Sequence, residues 1–230
     1  MSDAMMNDPL SARSEILARI RSANHGIFGA DRDLTPDESW QTIPRTYRRD
    51  SSLSHAARIQ LLTERLIEYG AGVYRCQPAQ VAENVSEILR SRSQQRVLVS
   101  SDVGPNWLPH QGPMFVYDKT LSYSDIEACD GVLTGCTVAI ATTGTLVLCH
   151  TSDGSRRALT LLPDYHLCFV NAATIVETVP EGLRALEPHR LQPITLISGP
   201  SATADIEMTR IQGVHGPRVL DCLIVVEDFV

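Results

Sequence analysis

Three stretches of this 230-residue chain combine residue types and spacings that can do chemistry. The first is LTGCTVAIATTGTLVL, residues 133–148, where Thr142, Thr143, Gly144 and Thr145 interrupt an apolar run. Backbone N–H groups that converge at a glycine turn, joined by threonine hydroxyls, can cradle a phosphate or a carboxylate. The same residues also suit a plain hairpin turn. The second stretch is SGPSATADIE, residues 198–207. PITLIS reads as a strand, Gly199 and Pro200 break it, and Ser201 is placed to cap a helix running through SATADIEM. The N-terminus of such a helix binds anions, and Thr203 would lie beside it. Asp205 and Glu207 complement the dipole of the first turn without any ligand. The third is GVHGPR, where His215 stands between Gly213 and Gly216 and could serve as base, ligand or structural hydrogen-bonder. Thr143, Gly144, Thr145, Ser198, Gly199, Ser201, Thr203, Asp205 and His215 are therefore the candidate binding residues, on condition that they line one cavity. No catalytic residue is assigned.

The familiar routes to catalysis are closed, because the chain has no HExxH, GxSxG, GxGxxG or Walker loop. A metal site is not expected either. The six cysteines are scattered without a CxxC pair, so free thiols packed as small apolar side chains are expected. The loop DVGPNWLPHQGP carries Trp107 and His110, either as a ligand wall or with the indole as a hydrophobic plug. The net charge is −7, and Lys119 is the only lysine, so nothing favours a phosphate backbone and nucleic acid is excluded as a partner. The apolar runs fall short of the ~20 residues that span a bilayer. The first 30 residues do not read as a signal peptide, which places the chain in the cytoplasm.

The elements that must position these residues follow from periodicity. SARSEILARIRSA is an amphipathic helix with Ile16, Leu17 and Ile20 on one face and a stop at His25 and Gly26. Residues 29–50 carry two prolines, many charges and no period, and read as an extended arm. From Ser54 helices and strands alternate: SHAARIQLLTERLIEYGA ends at Gly70, VYRC is a strand, and QPAQVAENVSEILRSRS is a helix on Val81, Val85, Ile88 and Leu89. RVLVSS, MFVYDK, HLCFV, PITLIS and RVLDCLIVVED are strands, YSDIEACDG holds a short helix, and TIVETVPEGLRALE is a helix. The pattern predicts an α/β domain over residues 51–230, with a mixed, mostly parallel sheet flanked by helices, preceded by a helix and arm over residues 1–50.

Taken in order, LTGCTVAIATTGTLVL, LLPDYHLCFV and LISGPSATADIEMTRIQGVHGPRVLDCLIVV resemble the LUD domain of the lactate-utilization protein C family, over residues 55–230. SARSEILARIRSA is similar to the short N-terminal helix of these proteins. The resemblance implies a fold similar to the NagB/RpiA/CoA-transferase superfamily. It also implies a place in carbon metabolism, as an accessory subunit of a system that oxidises L-lactate to pyruvate. Iron–sulfur clusters are then expected in the partner lactate-utilization proteins and no cofactor in this chain. The family usually has Glu before the TGT turn, as in AIAETGT, where this chain has Thr142. If that carboxylate does chemistry in the family, this chain lacks it; if it only braces the turn, the Thr142 hydroxyl can serve instead. Two other readings stand beside the subunit: a stand-alone enzyme acting on a phosphorylated or CoA-linked metabolite, and a metabolite sensor that uses the arm over residues 27–50 to contact a partner.

Overall fold

The computed structural model describes residues 9–28, 35–118, 121–150, 156–204, 210–212 and 216–227. The chain divides into two compact units, Met1–Tyr47 and Arg48–Val230.

The first unit holds α1 (Pro9–Phe28) and α2 (Pro36–Thr42). Helix α1 runs through the expected stop at His25 and Gly26, because a single glycine costs a helix only about 1 kcal/mol relative to alanine. Ile16, Leu17 and Ile20 stand exposed along it. Helix α2 replaces part of the expected extended arm. Thr35 accepts from the Glu38 N–H, the Glu38 carboxylate accepts from the Thr35 N–H at 2.8 Å, and Pro36 opens the first turn. The sequence TPDE is thus a capping box with proline at its preferred position, a start signal masked by the charges that follow.

The second unit opens with α3 (His55–Glu68), β1 (Gly72–Cys76), α4 (Val81–Ser91), β2 (Arg96–Val99), β3 (Met114–Tyr117) and α5 (Tyr123–Glu127). It continues with β4 (Gly131–Gly135), β5 (Val138–Ile140), β6 (Thr145–Cys149), β7 (Tyr165–Asn171), β8 (Ile175–Val176) and α6 (Val179–Ala185). The last elements are β9 (Ile194–Ile197), β10 (Ala202–Ala204), β11 (Arg210–Gln212) and β12 (Val219–Val225). Six strands form a parallel sheet in the order β1-β12-β7-β4-β2-β3. The central strands β7 and β12 are near-continuous apolar runs because both of their faces are covered. On one face α4 packs Val81, Val85, Ile88 and Leu89 against Leu133, Leu167 and Leu223. On the other, Ile59, Leu62 and Leu66 of α3 pack against Val170, Cys222 and Ile224 and also against Leu146 and Leu148 of β6.

A second sheet, in the order β8-β5-β6-β9, was not anticipated from the sequence. Its core is the antiparallel hairpin β5–β6, with β9 antiparallel to β6 and β8 parallel to β5. Two expected elements are corrected here. TIVETVPEGLRALE is not helical throughout: Ile175–Val176 extends the second sheet, and the helix starts at Val179, where Thr178 and Glu181 close a capping box. The helix expected after Ser201 is a strand, β10, paired antiparallel with β11. The Ser201 N–H donates to the Pro217 carbonyl at 2.8 Å, which carries the chain into the hairpin. SATADIEM has no apolar stripe of period 3.6 to hold a helix against that pairing. No helix among the described residues is long and apolar enough to cross a membrane.

Candidate functional site

The TGT turn and the SGPS loop meet through their hydroxyls. The hairpin closes through a 3-10 turn at Ala141–Thr143 and Gly144, whose φ of 58° is left-handed. Thr143 Oγ1 lies 2.7 Å from Thr145 Oγ1, and Thr145 Oγ1 lies 2.8 Å from Ser198 Oγ, just past the neighbouring strand β9. The glycines in both segments serve packing. A Cβ on Gly144 would stand 2.8 Å from the Arg65 Cβ, and one on Gly199, whose φ is 99°, would stand 2.7 Å from the Tyr69 Cβ. Both loops therefore press bare backbone onto the C-terminal turn of α3. Thr142 donates its N–H to the Glu177 carbonyl at 3.1 Å.

Beside this hydroxyl chain lies a cavity of about 310 Å³. Ser198, Gly199 and Ser201 line it, together with Arg157, Thr160 and His166, which the sequence patterns did not single out. Thr143, Gly144 and Thr145 are not among the described residues that line it, and Thr145 touches the lining residue Ser198. Thr203 belongs to β10. Asp205 and His215 lie outside the described residues.

Arg157 opens a 3-10 turn, Arg157–Thr160, and donates from Nη1 to Thr160 Oγ1 at 2.6 Å. Among the described residues no carboxylate pairs with its guanidinium, and burial lowers its pKa. Its neighbour Arg156, by contrast, grips Asp118 through Nε and Nη2 at 2.7 and 2.6 Å. His166 is 1% exposed, in the middle of the sheet on β7. Its Nε2 lies 2.7 Å from the hydroxyl of Thr134, a fully buried residue of β4, and Nδ1 has no partner among the described residues. Burial, and then the charge of Arg157, bring its pKa down to about 4. At neutral pH the described lining residues supply one cation and an uncharged imidazole. That set can pair with an anion and make one directional hydrogen bond to a neighbouring group. The signal for His166 was a lone polar residue inside the buried run HLCFV; RRALT offered none for Arg157.

In the Trp107 loop the indole takes the place of a hydrophobic plug. The indole packs on Phe169 with ring centroids 5.1 Å apart, in the core beneath α4, and His110 is exposed. The remaining buried acid near the TGT turn, Glu177, holds the start of the second unit. Its carboxylate accepts from the Ser51 hydroxyl and from the Ser52 and Leu53 N–H groups at 2.8, 2.6 and 2.8 Å, and it pairs with Arg48. Burial alone would raise its pKa, but these partners outweigh it and hold the value at about 2. All six cysteines are free thiols. Among the described residues no three His, Cys, Asp or Glu side chains are grouped to hold a metal ion.

The class to which this fold and cavity belong is the LUD domain, whose family model matches residues 116–225, a span that contains every cavity residue. The chain is 34% identical over 223 residues to lactate utilization protein C of Deinococcus radiodurans, covering 96% of this chain and 100% of that protein. It is 29% identical over 184 residues to lactate utilization protein C of Halalkalibacterium halodurans, covering 74% and 79% of the two chains. The crystal structure of a DUF162 family protein from Deinococcus radiodurans superposes with a TM-score of 0.64 at 33% identity, over 75% of this chain and 99% of that one. The chain belongs to the lactate utilization protein C family of LUD-domain proteins.

Proposed function

We propose that this chain acts in the cytoplasm in lactate utilization, as a non-redox subunit that binds a small anion while iron–sulfur partner proteins carry the electrons from L-lactate. One observation carries the binding role. The Arg157 guanidinium lines a partly enclosed cavity beside a neutral histidine, with no acid paired to it among the described residues. A guanidinium in such a place is matched by a ligand carboxylate or phosphate. The lactate-utilization role is supported by relatives named for it that align along nearly the whole chain. The alternative of a phosphorylated or CoA-linked metabolite draws on the superfamily resemblance and the two Gly/Thr turns, and after Ser201 residues Ala202–Ala204 form a strand that supplies no helix N-terminus for a phosphate.

The test is reconstitution. The purified chain alone is expected to give no lactate-dependent dye reduction, and to support it once the iron–sulfur partners are added. Arg157→Gln should lower the reconstituted rate while costing no more than about 1 kcal/mol of stability by urea denaturation, the size of the hydrogen bond it makes to Thr160. Lactate oxidation by the isolated chain would overturn the proposal.

A further inference from the structure

We infer that the cavity takes a short 2-hydroxy or 2-oxo monocarboxylate, its carboxylate on Arg157 and its 2-oxygen on Nδ1 of His166, with the Thr134 hydroxyl turning to suit either oxidation state. This deepens the lactate-utilization reading and rests on it.

The charge of the ligand follows from the walls. Among the described residues that line the cavity Arg157 is the one permanent cation, and His166 is neutral. A phosphate monoester carries nearly two negative charges at neutral pH and would leave one of them uncompensated. The segment after Ser201 runs as a strand and brings no helix dipole to make up the difference.

The orientation follows from hydrogen bonds already made. Arg157 uses Nη1 on Thr160, which leaves the edge formed by Nε and Nη2. The protein itself shows what that edge holds. Arg92 grips Asp221, Arg156 grips Asp118, and Arg218 grips Asp164, each through Nε and Nη2. A carboxylate on Arg157 would complete a fourth such pair.

His166 then addresses the atom next to the carboxylate. Its Nε2 is held by Thr134 Oγ1 at 2.7 Å, and the same hydroxyl lies 3.7 Å from Cys168 Sγ. Thr134 has one proton to place. Turned toward Nε2, it leaves the imidazole proton on Nδ1, which donates to a keto oxygen. Turned toward Cys168, it accepts from Nε2–H, and Nδ1 accepts from a hydroxyl. Both arrangements keep the ring neutral, so one site serves both members of a hydroxy acid/keto acid couple. Thr134 is a positioning residue, acting through His166.

The experiment uses the full chain, isothermal titration and 15N NMR of the imidazole, with L-lactate, pyruvate, propionate and inorganic phosphate as probes. Lactate and pyruvate should bind within roughly ten-fold of each other, and propionate, which lacks the 2-oxygen, roughly ten-fold more weakly than either. Phosphate should bind more weakly than lactate. Lactate should leave Nδ1 unprotonated and pyruvate should protonate it, and Thr134→Val should abolish that difference. The wild-type spectra decide the matter even if the variant does not fold. Equal binding of propionate and lactate, tighter binding of phosphate, one tautomer with both ligands, or no binding at all overturns the inference. The two proposals fail separately. Reconstituted lactate oxidation without lactate binding to this chain removes the ligand assignment alone, and binding of both acids with no reconstituted oxidation removes the role alone.

Discussion

Arg156 and Arg157 are neighbours of the same type, and nothing in RRALT separates them. One closes on Asp118 and the other faces the cavity, because the 3-10 turn that begins at Arg157 sends consecutive side chains in different directions. His166 has a measurable signature at this scale. Its pKa of about 4 lies below the ordinary value of 6.5, with Arg157, Thr134 and Cys168 as the groups around it. As pH falls, the unfolded chain takes up this proton first. The contribution of His166 to stability is therefore complete above pH 6.5 and is lost as pH drops toward 4. The amount is on the order of 3 kcal/mol. Urea midpoints measured from pH 4 to 7 should fall toward acid in the wild type and flatten over that window in His166→Gln. Parallel profiles for the two proteins would refute the assignment.

At the scale of elements, legibility tracked how local the deciding interaction is. Helices α3 and α4 were readable because their apolar stripes repeat within the segment, and Gly70, with φ of 89°, ends the first of them. The pairing of β10 with β11 replaces the expected helix because it depends on residues eight or so positions apart and on the bond from Ser201 to Pro217. The strap over residues 48–53 is held in the same non-local way. Glu177 accepts from the Ser51 hydroxyl and from the Ser52 and Leu53 N–H groups, Glu181 accepts from the Ser51 N–H, and Arg184 donates to the Arg49 carbonyl. Glu177→Gln should weaken those bonds, lower the melting temperature and expose Arg48 and Arg49 to faster trypsin cleavage, while far-UV circular dichroism stays unchanged. Its pKa of about 2 lies below the ordinary 4.5, so the anchor is intact above pH 4.5 and is lost as pH falls toward 2. Unaltered cleavage in the variant would show that the strap is held by other contacts.

Across the whole second unit, one buried carboxylate joins three elements. Asp221, fully buried on β12, accepts Arg92 Nε and Nη2 at 2.8 and 2.7 Å from the end of α4, and the Tyr165 hydroxyl at 2.9 Å from β7. Gly72 on β1 is bare because a Cβ there would collide with the Asp221 carboxylate. Asp221→Ala leaves a buried hydroxyl and a half-exposed guanidinium without their partner, and should cost about 3 kcal/mol by urea denaturation, with a loss below 1 kcal/mol counting against the role. The sequence by itself determined the α/β class, the apolar faces of the helices, the buried strands and the family, since each of these is written in short-range periodicity or in contiguous motifs. The tertiary structure alone decided that the TGT turn belongs to a second sheet, that its glycines pack on α3, and that Arg157, Thr134 and His166 meet around one cavity. Those outcomes depend on strands far apart in the chain being brought side by side, and side-chain spacing along a sequence carries no record of that register.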